Sequence, residues 1–186
     1  MATFDNFEDI SSIIDVKCCG GSDAEVDFLL RDDDGTWRTE SSSGAFIGRG
    51  GLGKTREGDG ATPEGEFRAR RAFGIKKDPG TALEYTDVTE TTVACDEEGP
   101  WYNRIIDTAV TGPVGGERMR EIEPQYNYGI ELDFNSGNIY PLGSAIFFHC
   151  KGPKPWTGGC VAADEDFVRH VLEKCGPAPL FRIHKK

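Results

Sequence analysis

Long apolar runs are missing from this chain of 186 residues. None reaches the ~20 residues that a membrane-spanning helix needs. The opening stretch, Met1–Asp15, has neither a basic segment nor an apolar one, so it does not read as a secretory signal. Two expectations stay open. Either the protein is cytoplasmic, or it works at the extracellular face or in the cell wall and its signal or anchor is not contained in this sequence.

Positive charge is scarce too. There are 21 Lys and Arg against 32 Asp and Glu, a formal net charge of -11. Nucleic-acid binders need a basic face, and docking on an anionic membrane needs clustered Lys and Arg, so neither partner is expected. The six cysteines, Cys18, Cys19, Cys95, Cys150, Cys160 and Cys175, contain no C-x-x-C pair. A structural zinc site is therefore not expected, and nothing calls for a metal or cofactor. Six cysteines are also too few for the framework of a small secreted domain, and a chain of this length can bury a core without bridges.

What the sequence has in quantity is glycine, 24 residues. That suggests many turns between short strands. The alternation predicts strands at Ile13–Lys17 and Glu25–Arg31, joined by Gly20-Gly21, then at Thr36–Glu40 after a turn at Asp32–Gly35. Further strands are expected at Glu66–Phe73, Thr91–Cys95, Gly129–Leu132, Ser144–Cys150 and Leu180–His184. One helix stands out. Asp164 is placed to cap it, and Glu165 and Asp166 put negative charge in its first turn. Phe167, Val168, Val171, Leu172 and Cys175 share one face, and Gly176-Pro177 ends it. No repeat or linker interrupts the chain, so residues 1–186 are expected to form a single, mainly β domain, with residues 1–25 supplying a first strand and an N-terminal extension. The triplet Asp32-Asp33-Asp34 could suggest calcium, but no spaced oxygen ligands follow, and a solvated hairpin turn explains it.

Gly48–Thr55 matches the phosphate-binding pattern G-x-x-x-x-G-K-[ST] in full. That loop works only if a helix starts at its Lys-Thr and presents backbone amides. Here three glycines and a proline fall within Arg56–Gly65. In a helix interior each Gly costs about 1 kcal/mol and Pro about 3 kcal/mol relative to Ala. No nucleotide is expected.

Chemistry concentrates in Ser144–Ala162. His149 closes an apolar strand, and a Gly- and Pro-rich loop returns through Thr157-Gly158-Gly159 to Cys160. A thiol needs activation near neutral pH, and an imidazole within reach supplies it. Gly158 and Gly159 let the backbone approach a substrate carbonyl, and their amides with that of Cys160 could form an oxyanion hole. Taken alone, the same residues also fit a structural His and a small buried Cys. His170, inside the helix, and His184, beside the terminal lysines, are poorer candidates for a base.

Four ordered blocks resemble the L,D-transpeptidase catalytic domain (YkuD-like) family. They are Arg56–Phe67, similar to K-x-G-D-G-x-T-P-x-G-x-F; Trp101-Tyr102-Asn103; Gly143–His149; and Thr157–Cys160, similar to [ST]-x-G-C. The first explains the false phosphate loop. The resemblance implies a β-sandwich of short mixed strands with one helix beside the active site. It implies Cys160 as nucleophile, His149 as base and Gly159 in the catalytic loop. It also implies a carbonyl, that of Cys150, as the group orienting His149. Gly158, Thr157, Trp156, Tyr102, Asn103 and Arg56 are the implied binding residues. The implied substrates are peptidoglycan stem peptides, and a carbapenem is the implied adduct at Cys160. An L,D-carboxypeptidase, a wall-peptide hydrolase or toxin on the same fold, and a non-catalytic wall-binding module are the alternatives. The sequence departs from the family where Val161-Ala162 stand in place of an Arg after the nucleophile. Arg56, Arg104 and Lys151 are the candidates to hold a substrate carboxylate instead.

Overall fold

The structure, a computed structural model, describes residues 10–186. The chain begins with three long antiparallel strands, β1 (Ser12–Gly20), β2 (Asp23–Arg31) and β3 (Trp37–Phe46). Period-2 burial drives them: Ile14, Val16 and Cys18 on β1 and Ala24, Val26 and Phe28 on β2 all point into one core. The Asp32–Gly35 stretch is a turn. Asp34 accepts from the Thr36 N–H at 2.9 Å and Asp32 pairs with Arg38 at 2.9 Å, so these carboxylates serve the hairpin.

Then come β4 (Gly65–Gly74), β5 (Tyr85–Asp87), β6 (Thr92–Cys95), β7 (Arg104–Asp107), a one-turn helix α1 (Thr108–Thr111) and β8 (Glu117–Arg118). The chain ends through β9 (Gly129–Leu132), β10 (Phe147–Cys150), β11 (Val161–Ala163), helix α2 (Glu165–Lys174) and β12 (Pro179–Lys185). Nine strands form one mixed sheet in the order β12-β1-β2-β3-β11-β10-β9-β4-β5. β4 also pairs antiparallel with β12, so eight of these strands close into a ring around the core. The layers of the expected sandwich thus belong to one sheet folded over and joined at its ends. The remaining strands make a small sheet, β7-β6-β8. It packs on the large one through Phe73, Val88, Ala94, Met119, Tyr126 and Phe147, with Ala145 and Cys160 at the edge of that cluster.

Three expectations change. The third strand runs on to Phe46 instead of stopping at Glu40, because β2 and β11 on either side supply its partners. The expected strand from Ser144 starts only at Phe147: Ala145 adopts a left-handed φ of +51° and breaks the ladder. Helix α2 buries Phe167, Val168, Val171 and Leu172 as expected. However, Asp164 does not cap it with its side chain. That carboxylate turns instead to Lys151 Nζ at 2.9 Å and Ser43 Oγ at 3.1 Å, which fastens the start of α2 to β3.

Candidate active site

His149 lies on β10 and Cys160 immediately precedes β11, and these two strands are parallel neighbours. That pairing sets Cys160 beside Phe147, whose N–H donates to Sγ at 3.4 Å. Both side chains line one cavity of about 370 Å³, together with Lys54, Glu57, Asp96, Glu117 and Trp156. The cavity sits where the two sheets meet.

The imidazole is oriented by backbone. Nδ1 lies 2.8 Å from the Cys150 carbonyl, which can only accept, so Nδ1 carries the proton and Nε2 is left as an acceptor. The Tyr126 ring packs edge-on against it, 5.5 Å between centroids. Burial pushes the His149 pKa down to about 4, against a smaller opposing effect of the Cys150 carbonyl. Burial pushes the Cys160 thiol up to about 12, reinforced by the Glu117 charge and opposed by the Phe147 amide and Lys54. The two side chains share no hydrogen bond here. The thiol donates to the Ala145 carbonyl at 3.2 Å.

The loop before the nucleophile is pinned by Thr157. Its hydroxyl donates to the Cys160 carbonyl at 2.6 Å and accepts from the Gly159 N–H at 3.1 Å. Gly159, with φ +153°, has no room for a side chain, since a Cβ would lie 2.9 Å from the Ala61 carbonyl. Its N–H is occupied, which leaves the Gly158 and Cys160 amides as the free choices for an oxyanion hole. Thr62 holds the same loop by donating to the Gly159 carbonyl at 2.8 Å.

The other sequence-based candidates divide. Gly158, Thr157 and Trp156 line the cavity, and the Trp156 ring faces Arg49 and Lys154 at 5.2 and 4.7 Å. Tyr102 and Asn103 are buried away from the cavity lining and act on its walls. Tyr102 donates to Glu57 at 2.5 Å and accepts from the Gly143 N–H at 3.0 Å. Arg56 is exposed outside the cavity, Arg104 is exposed on β7, and Lys151 is committed to Asp164. None of these three cations reaches the cavity. His170 packs edge-on against Phe28, and His184 sits 3.1 Å from Asp15.

A residue missed in the sequence is Lys54. Its side chain is 2% exposed, lies along the cavity wall and pairs with Asp59 at 3.1 Å. No helix begins at Lys54-Thr55. Instead Asp59 gathers the loop by accepting from the N–H groups of Thr55, Arg56 and Ala61. Burial works against the Asp59 carboxylate, but these bonds and Lys54 outweigh it and hold its pKa well below the usual range. A lysine beside Gly-rich sequence gave no hint of burial. The space for it comes from Gly143, where a Cβ would meet Lys54 Cε at 2.4 Å.

Among the described residues all six cysteines are free thiols. Cys150 and Cys175 are buried in the core, with their pKa values pushed up by desolvation to about 12 and about 11.

Fold and site together define a mainly β domain with a cysteine and a backbone-oriented histidine in one cavity. The family model for the L,D-transpeptidase catalytic domain, YkuD, matches residues 22–179, and the chain belongs to that family. Among curated proteins no match is found.

Proposed function

We propose that this chain is a peptidoglycan L,D-transpeptidase in which Cys160 is the nucleophile and His149 its base. The observation that carries the reading is the shared cavity, lined by Cys160 and by His149, whose Nδ1 is tied to backbone so that Nε2 is the ring nitrogen left to accept. The thiol gives its proton to Nε2 as sulfur attacks the carbonyl preceding the terminal D-Ala of a tetrapeptide stem. The Gly158 and Cys160 amides receive the oxyanion. The C–N bond breaks, the departing D-Ala amine takes the proton from His149, and a thioester remains. An amine of a second stem then attacks the thioester and passes its proton to His149. The sulfur leaves and is reprotonated, and the product is a 3→3 crosslink.

Substrate binding falls to Trp156, Thr157 and Lys54, which line the same cavity. Among the described residues no helix is long and apolar enough to cross a membrane. The substrate puts the site of action at the extracellular face or in the cell wall.

The test is the intact mass of the protein after incubation with a tetrapeptide stem and, separately, with a carbapenem. A single adduct on the wild type and none on Cys160→Ala is expected. An adduct that survives on the Cys160→Ala variant would falsify the assignment. With an amine acceptor present, release of D-Ala without any crosslinked product would make the enzyme an L,D-carboxypeptidase.

A further inference from the structure

The backbone that holds the Cys160 thiol is itself held. Ala145 is left-handed, φ +51°, a conformation that crowds its Cβ against the backbone. Its carbonyl accepts a hydrogen bond from the Cys160 thiol at 3.2 Å, while its N–H donates to Asn103 Oδ1 at 3.0 Å. Asn103 is 5% exposed and left-handed as well, φ +58°. Its Nδ2 donates to the carbonyls of Phe134 and Asn135 at 3.1 and 3.0 Å and lies 3.2 Å from Asn138 Oδ1. With Nδ2 tied to three oxygens, the carboxamide cannot flip, so Oδ1 stays turned to Ala145.

We infer that Asn103 is a positioning residue that latches the nucleophile at rest: by fixing Ala145 in its left-handed conformation, it aims the Ala145 carbonyl at the Cys160 thiol and keeps that proton from His149. The inference rests on Cys160 being the nucleophile. Before attack, Sγ–H must turn from the carbonyl to Nε2. A peptide lying along residues 144–146 brings N–H groups that compete for the Ala145 carbonyl. Seating such a substrate and releasing the latch are then a single event. The Phe147 N–H, already 3.4 Å from Sγ, stays in place to support the sulfur once its proton has gone.

The experiment is iodoacetamide labelling from pH 6 to pH 10, read thiol by thiol by peptide mass spectrometry. Removing a single hydrogen-bond anchor should raise Cys160 alkylation in Asn103→Ala about fivefold or more at pH 7 and move its profile to lower pH. Ala145→Gly deletes no hydrogen-bonding group and removes the Cβ that the left-handed conformation crowds, so it holds the latch more firmly and should lower the same rate about twofold or more. Cys150 and Cys175, fully buried, should stay unlabelled in both variants. A loosened fold would label them in step with Cys160, and that outcome overturns the latch. An unchanged Cys160 rate in both variants overturns it too. Should Asn103→Ala fail to fold, Ala145→Gly decides alone. A wild type that forms no thioester with stem or carbapenem sinks the proposed function, but the alkylation comparison still reads the latch.

Discussion

Cys160 and His149 are both neutral at rest. With the thiol pushed up to about 12 and the imidazole down to about 4, the proton sits on sulfur across the whole interval between. For the proposed reaction, activation therefore comes with the substrate and not from a standing thiolate–imidazolium pair. Alkylation of Cys160 should climb steadily with pH and show no plateau between pH 5 and pH 8. A flat rate in that range would mean a preformed ion pair. The same imidazole links stability to pH. Its folded pKa, about 4, lies below the unfolded 6.5, so the unfolded chain binds more protons between those values. The contribution is complete above pH 6.5 and is lost as pH falls toward 4, on the order of 3 kcal/mol. Urea midpoints at pH 7.5 and pH 4.5 should differ less in His149→Gln than in the wild type. Equal differences would mean that His149 is not buried as a neutral group. That His149 and Cys160 line one cavity was foreshadowed in the sequence by the short Gly- and Pro-rich loop between them, and their pairing as base and nucleophile was read there only with the four ordered blocks. Lys54 was not foreshadowed, because its burial depends on Gly143, which is distant in sequence.

Among the elements, the loop Thr157–Cys160 is the most constrained, and Thr157 constrains it. Thr157→Val keeps the shape but strands the Gly159 N–H and the Cys160 carbonyl. Each unsatisfied buried group costs about 1–3 kcal/mol. The variant should be measurably less stable in urea and should form the thioester more slowly, while Thr157→Ser restores both. An unaffected Thr157→Val would mean that the loop is held from Thr62 alone. Strands with apolar alternation, such as β1 and β2, were readable, and so was α2 from its apolar face. The second half of β3 was not. Ser41-Ser42-Ser43-Gly44 has little strand preference of its own and is drawn into the sheet by its neighbours. Asp164 looked like a helix cap because sequence shows position and not direction, and Lys151 and Ser43 win its carboxylate.

For the whole molecule, the mainly β class followed from turn spacing and from the four ordered blocks. The ring closure did not, since pairing between β4 and β12 joins residues more than a hundred positions apart. Phe181 sits at that closure, fully buried and packed on Phe148 with ring centroids 5.6 Å apart. Phe181→Ala should cost about 3–5 kcal/mol. Because β12 serves two strands, the loss should appear as one cooperative shift of the urea transition. A separate early transition, with the rest of the sheet intact, would show that β12 is only a detachable edge.

The closing strand also sets a timetable for biosynthesis. β1 finds its parallel partner only at the far end, Ser12 opposite Pro179, and β4 waits for the same segment. While the ribosome still holds the chain short of residue 179, two strands present bare edges, and such edges recruit other chains. Folding that depends on pairings so distant in sequence is slow, so the interval of exposure is long. The Cys160 loop is made before β12 but settles into a finished sheet only afterwards. A nascent chain thus carries Cys160 before it has the finished sheet that encloses it.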